Sequence, residues 1–298
     1  MPDPSAFGPL RAEPILLAHP HALPDQLTVF HRRAAHNEHS LVTCAATHSL
    51  TTGEAEHDEF FGIRRAAGDA ESLWHAAFAR VVEAVVAHTP SHQHEEICGA
   101  LTSTFPALLV PSAQRPNEPL WTGLDYWVRG HQLFAVLTQA ATVSMRHACT
   151  RARLGDTTAA AASLETTASV FRCSAAALRL TAGFAADEYR ERVRPLMEPP
   201  RVTAGFSGIL SVDHRALVDA LRKWQRHSEI RELSGGAALL RDALADVYAA
   251  HVGVCERFVG EQAPSLRTAA TGQQSAAVRV LRALGQRRLG LVGGSADR

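Results

Sequence analysis

The sequence has no CxxC pair, no apolar run long enough to span a bilayer and no surplus of either charge. Its five cysteines, Cys44, Cys98, Cys149, Cys173 and Cys255, are an odd number spread widely along the chain. That excludes a zinc ribbon, a thioredoxin-type dithiol and a CxxCH heme attachment, and favours reduced thiols packed as small hydrophobes. The 30 basic residues balance 30 acidic ones for a formal net charge of +0, which argues against the basic face of a nucleic-acid partner. With no membrane-length segment, and with Met1-Pro2-Asp3-Pro4 where a leader would be basic and apolar, a cytoplasmic protein without a membrane partner is expected. Lys223 is the one lysine among the basic residues, a bias that points to genome composition and not to function. Phosphate-binding glycine loops are missing, and no alternating strand pattern exists to give one its context. Gly205-Phe-Ser-Gly208 is a residue short of the GxSxG elbow, which also needs a strand-to-helix turn.

What the chain has is helix. Apolar residues recur at helical spacing over Asp25 to past His48, Asp69–His88 and Ser91–Leu109. The pattern resumes over Trp121–Arg153, Thr158–Phe184, Asp187–Leu196, Val212–Leu233 and Ala237 to about Val259. Residues 1–24 are proline-rich and read as an irregular arm. Residues 25–260 read as one helical domain, and 261–298 as a flexible tail with a marginal helix near Ser275–Leu284. The expected fold is all-α, a single-domain multi-helix bundle.

The chemistry concentrates in two places. Between Arg194 and His214 three prolines and two glycines impose a non-helical connector, which ends at Ser211, a helix N-cap residue type. His214 then falls on the first turn of a helix and shares its apolar face with Leu217, Leu221 and Trp224. A core histidine bonded to a backbone carbonyl would show the same spacing, but the rigid approach favours an imidazole set against a ligand. Gly205 and Gly208 permit positive φ or close backbone approach there. The second place is Trp121-Thr-Gly-Leu-Asp-Tyr-Trp-Val-Arg-Gly-His131. Arg129 could clamp a carboxylate with its planar fork, and Trp127 and His131, four apart, suit an aromatic guest. An ordinary amphipathic helix with a surface Asp–Arg pair remains the alternative.

Other histidines are less directed. His251 lies on a stripe with Leu240, Leu244, Val247, Cys255 and Phe258, and its surroundings read as core packing. His88, His92 and His94 form a turn that lacks further zinc ligands, and His88 would suit a helix C-terminus as a cap. His36, His39 and His48 read as a solvated face without HExxH.

The blocks Gly123-Leu-Asp-Tyr-Trp-Val-Arg-Gly-His-Gln132 and Pro199-Pro…Gly205-Phe-Ser-Gly…Ser211-Val-Asp-His214 resemble those of the heme-dependent L-tyrosine hydroxylases. These are histidine-ligated heme aromatic oxygenases, grouped with tryptophan 2,3-dioxygenase, that serve antibiotic biosynthesis. The resemblance covers about residues 25 to 260 and implies a bundle enclosing a heme pocket. It implies heme b with His214 as axial iron ligand and Phe206, Ser207 and Gly208 against the cofactor. It further implies a distal catalytic histidine at His88, with His92 and His94 behind it. Substrate recognition falls to Arg129, Tyr126 and Trp127. The implied reaction is hydroxylation of an aromatic amino acid, L-tyrosine to L-DOPA, with hydrogen peroxide. A related peroxygenase acting on 3-methyltyrosine attaches heme through an HxxxC pair. Here Cys173 has Ser169 at that spacing and His94/Cys98 lies in another region, so a non-covalent heme is expected. Tryptophan or a substituted tyrosine as substrate, and a non-catalytic helical ligand-binding protein, are the alternatives. A non-heme metal hydroxylase would need a two-histidine, one-carboxylate face that the spacing does not supply. Broad apolar helix faces are compatible with a homodimer.

Overall fold

The computed structural model describes residues 12–25, 49–89, 91–108, 121–227, 230–260, 264–269 and 275–293. The helix expected from Asp25 past His48, with His36, His39 and Cys44, and the loop Pro111–Pro119 lie outside the described residues, as does the side chain of His92.

Two long helices form the centre. Thr122 caps α4 (Gly123–Arg153) in a capping box, its backbone N–H donating to Asp125 Oδ2 at 2.9 Å while Asp125 N–H donates back to Thr122 Oγ1 at 3.3 Å. Such a cap is worth about 1 kcal/mol. At Leu154-Gly155 the chain reverses, Gly155 taking φ +75°, and Asp156 caps α5 (Thr157–Thr181). α4 is buried on nearly every side, so its polar side chains return their hydrogen bonds inward: Thr138 Oγ1 donates to Phe134 O at 2.7 Å and Thr142 Oγ1 to Thr138 O at 2.8 Å. At Gly130 a Cβ would collide with Thr181, and this sets how closely α4 and α5 approach.

Around this pair pack α7 (Val212–Trp224) and α8 (Ser234–Phe258), with α3 (Ser91–Thr104) on the far side of α5. α8 starts three residues earlier than its apolar pattern suggested, taking Gly235-Gly236 into its first turn, where a Cβ at Gly236 would press on the Leu164 side chain 3.0 Å away. Gly236 thus serves a close helix approach. α7 ends at Trp224, earlier than its apolar pattern suggested, in one-turn pieces at Gln225–His227 and Arg231–Leu233.

α2 (Ala70–His88) lies on α4, its Trp74 Nε1 donating to Val136 O at 2.9 Å. α2 also covers a two-stranded parallel sheet, β1 (Ile15–Ala18) with β2 (Ile63–Ala66), in the register Ile15↔Ile63 to Ala18↔Ala66. The expected irregular arm is thus corrected: this part of it is core, with Ile15, Leu17 and Ala18 buried. Four residues are too short for an alternating pattern to show in sequence. α1 (Thr52–Phe60), opened by a Thr51/Glu54 capping box, leads into β2. The segment after α5 holds the single turn α6 (Ala186–Glu188) and then winds wider through Tyr189–Val193.

Beyond residue 260 the expected tail is corrected as well. After the short α9 (Leu266–Ala269), α10 (Ala277–Val292) packs on α8 and α7 along Val278, Gly285 and Val292. These three recur every seventh residue, and a narrow stripe of that kind carries a weaker signal than a broad face. The result is an all-α, multi-helix single domain with one small sheet on its flank. Among the described residues no helix is long and apolar enough to cross a membrane.

Candidate functional site

α7 begins where the connector ends. Ser211 accepts a hydrogen bond from the His214 backbone N–H at 3.2 Å, which fixes the first turn and with it the origin of the His214 side chain. Gly205 takes φ +94°, and this turns the chain so that Phe206 is buried. The residue before His214, Asp213, is fully buried. It accepts from Arg65 Nη2 at 2.7 Å and Nη1 at 3.1 Å, and from Gln139 Nε2 at 2.8 Å. Arg65 also donates to both oxygens of Asp58, from Nε at 2.8 Å and Nη2 at 3.1 Å. One guanidinium therefore ties β2, α1 and α7 together, and the two carboxylates it holds neighbour His57 and His214 in sequence.

His214 lines a cavity of about 50 Å³ whose wall comes from α4, α5, α7, α8 and α10. Phe134, Phe171, Leu217, Leu221, Leu244 and Val247 make it apolar, and His251 of α8 faces into it as well. Desolvation pushes the pKa of His214 down to about 4, helped by the charges of Arg288, His251 and His57. Desolvation alone takes His251 down to about 4. Both imidazoles are neutral at pH 7, the form in which a ring nitrogen can ligate a metal. His251 is thus more than the core packing expected of it.

Two further histidines stand close by. His131 stacks on Phe61 at 4.3 Å between ring centroids and lies 4.5 Å from Trp127. Its Nδ1 is 2.7 Å from Trp127 O, so that nitrogen carries the proton, and burial lowers its pKa to about 3. His57 sits 4.9 Å from Phe61 and 5.9 Å from Phe206, with Nδ1 3.7 Å from Asp58 Oδ1 and no hydrogen bond at that nitrogen. The charge of His57 opposes protonation of both His131 and His214. Trp127, Tyr189 and Phe258 continue the aromatic wall, with Tyr189 stacked on Phe258 at 4.4 Å.

The other residues singled out in the sequence fall elsewhere. His88 stacks on Trp121 at 5.3 Å and points Nδ1 at Ala84 O, 2.9 Å away; it does not line the cavity. His94 is engaged with Cys98 on its own helix, Nε2 to Sγ 3.4 Å. Arg129 is buried, and its Nη1 donates to Glu13 O at 3.2 Å and Gln132 Oε1 at 3.1 Å, fastening the segment before β1; it does not line the cavity. Tyr126 is buried edge-on against Trp121. Trp127 meets His131 as the spacing predicts, and its Nε1 has no hydrogen-bond partner. Phe206 joins the aromatic cluster through His57, Phe60 and Phe61, whereas Gly208 opens an exposed turn and Ser207 precedes it, neither on the cavity wall.

The sequence carries one further signal. His251-Val-Gly-Val-Cys255 has the HxxxC spacing that Ser169/Cys173 lacks and that His94/Cys98 shows in another region. Four residues apart on α8, the two side chains share a face, and burial keeps the Cys255 thiol protonated by pushing its pKa up to about 11. Among the described residues no group of three or more His, Cys, Asp or Glu is arranged to hold a bare metal ion. Two neutral imidazoles on an apolar cavity, with a thiol one turn away, are instead a donor set suited to a metal already carried by a macrocycle. At about 50 Å³ the cavity holds little more than water, so such a group would displace lining side chains as it enters.

The model of the SfmD 3-methyl-L-tyrosine peroxygenase family matches residues 9–246. A 3-methyl-L-tyrosine peroxygenase from Streptomyces lavendulae is 32% identical over 256 residues, covering 78% of this chain and 69% of that protein. A crystal structure of SfmD reduced by soaking with sodium hydrosulfite shares the fold, with a TM-score of 0.64 at 24% identity over 83% of this chain and 98% of that one. His251, Cys255 and α10 lie beyond the residues of the family match.

Proposed function

Because the chain belongs to the SfmD 3-methyl-L-tyrosine peroxygenase family, we propose that it hydroxylates a tyrosine-type phenol with hydrogen peroxide, using a heme held by His214 and His251. L-Tyrosine, giving L-DOPA, and its 3-methyl derivative are the substrates to test. The observation that carries this reading is the facing of two neutral imidazoles, from α7 and α8, onto one apolar cavity. Cys255, at the HxxxC spacing from His251, is the thiol for a thioether to the macrocycle, which revises the expected non-covalent heme b.

When bound, the heme supplies peroxide activation and transfer of one oxygen to the arene. The chain supplies the rest. His214 and His251 are held unprotonated and ready to ligate, because burial makes their cationic forms costly. The Arg65–Asp213 pair pins the first turn of α7 and so orients His214. His57 replaces His88 as the proton carrier, since its Nδ1 has no hydrogen bond and lies 3.7 Å from Asp58 Oδ1 beside Phe61 and Phe206. Phe61, Phe206, Trp127 and Tyr189 exclude water and offer aromatic surface to the phenol ring.

The test is the full-length protein incubated with hemin, freed of excess, and given peroxide with either amino acid. A Soret band and a product heavier by one oxygen are expected, with both lost in His214→Ala and His251→Ala. No Soret band in the wild type, or no oxygenated product from either phenol, refutes the reading. His57→Gln is expected to keep hemin and slow the peroxide step by about 100-fold or more, the usual weight of an acid–base group.

A further inference from the structure

The cavity contains one permanent charge, and no function has been given to it. Arg288, on α10, lines the wall beside His214 and His251. The other polar groups around it are accounted for: Thr138 and Ser174 return their hydroxyls to their own helices, at 2.7 and 2.9 Å. Arg288 hydrogen-bonds the Tyr248 hydroxyl, yet its Nε is buried with no partner. Among the described residues it has no carboxylate within ion-pair distance, although Arg194, Arg215 and Arg282 all do. A guanidinium stays charged at any physiological pH and presents five donors in a fork matched to a carboxylate. Arg288 is half-buried, and the edge that carries its buried, unbonded Nε is costly unless an acceptor completes it.

The packing of α10 shows how Arg288 is delivered. At Gly285, one turn before it, a Cβ would press on the Tyr248 ring at 3.0 Å, so glycine lets α10 lie this close to α8. Val278 and Val292, seven residues to either side, are buried and hold the helix down. A stripe of small and apolar residues thus lowers a cation onto the cavity that holds the two imidazoles.

We propose that Arg288 is a carboxylate-binding residue of this pocket, brought there by the C-terminal helix. This deepens the peroxygenase reading, which supplies two sources of the carboxylate: a propionate of the macrocycle or the α-carboxylate of the amino acid. It also reassigns the clamp expected of Arg129, which does not line the cavity.

Two chemical pairs separate the sources: hemin against hemin dimethyl ester, and L-tyrosine against tyramine. Each is titrated into the full-length wild type, Arg288→Gln, Arg288→Lys and Gly285→Leu, the first pair by Soret absorbance and the second by calorimetry. The wild type is expected to prefer the carboxylate-bearing member of at least one pair by about 10- to 100-fold, the weight of a charge-assisted hydrogen bond. Arg288→Gln is expected to erase that preference while leaving affinity for the ester or the amine unchanged, and Arg288→Lys to recover part of it. Gly285→Leu, which lifts α10 without altering charge, is expected to erase it too. Loss within the hemin pair assigns the propionate, and loss within the tyrosine pair assigns the substrate. A preference that survives Arg288→Gln or Gly285→Leu in both pairs, or that is absent from the wild type, overturns the proposal. If the wild type binds neither form of hemin, the heme reading fails while the tyrosine pair still judges Arg288.

Discussion

Replacing Arg65 with methionine should destabilise the fold and loosen the turn that carries His214. Arg65 is almost wholly buried between Asp58 and Asp213 and makes four hydrogen bonds to them, from 2.7 to 3.1 Å. Methionine fills much of the same space but leaves two carboxylates without their shared cation. Removing one partner of a buried pair typically costs about 3–5 kcal/mol, a large part of the total stability of a folded domain. The thermal midpoint is expected to fall by roughly 5 to 15 °C. The acid limb should move as well. In the wild type burial raises the pKa of Asp58, but the neighbouring His57 and the hydrogen bonds from Arg65 outweigh it and hold the carboxyl below its usual range. A carboxylate depressed in the folded state stabilises above its unfolded pKa, and that stability is lost as pH falls through the folded value. Without Arg65 that loss begins at higher pH. Melting curves from pH 3 to 7 read both effects, and hemin titration reads the orientation of His214. Adding Asp58→Asn and Asp213→Asn to Arg65→Met should recover much of the loss, because the penalty belongs to uncompensated charge. An Arg65→Met midpoint within about 2 °C of wild type, or a triple variant no better than the single, would refute the reasoning.

Arg129→Ala should lower stability by about 1–3 kcal/mol, since Glu13 O and the Gln132 amide lose a buried donor; calorimetry should find tyrosine affinity unchanged, and a weakened affinity would restore Arg129 as the clamp. His131→Gln should flatten the pH dependence of stability. An imidazole held at about 3 when folded binds its proton first in the unfolded chain, so wild-type stability is present above 6.5 and drains away as pH falls toward 3. Equal slopes for variant and wild type across that window would count against the assignment. Acidified organic solvent is expected to leave heme on the wild type and to extract it from Cys255→Ser; heme equally extractable from both would remove the proposed thioether. Gly130→Ala should cost about 1–3 kcal/mol by forcing α4 and α5 apart at Thr181 and Ala177 O, read as a shift in urea midpoint.

Much of the frame was legible because helix is a local property. The cap at Ser211 and the long apolar stripes placed α2, α4, α5 and α8 and the start of α7 to within a few residues. The misses share a cause. β1 and β2 are four residues each and exist only through their pairing, and Gly235-Gly236 reads as a stop until Leu164 of a distant helix is seen against it. For α10 the sequence offers two glycines and several arginines, a poor helix on its own terms; what stabilises it is the surface of α7 and α8. The site was half legible for the same reason. A constrained connector marked His214, whereas His57 and Arg288 look like any surface residue of a short amphipathic helix, and His251 looks like core.

The order of residues thus determined, by itself, the helices, the capped turn that launches position 214 and the His251–Cys255 spacing on one helical face, since each depends on neighbours within a turn or two. Only the tertiary structure decided which imidazoles share a cavity, that the guanidinium at position 129 fastens the segment before β1, and that the one at position 288 lines the cavity with one buried nitrogen unbonded. Those are matters of burial and charge pairing between segments far apart in sequence, and desolvation acts on a group only once the chain has closed around it.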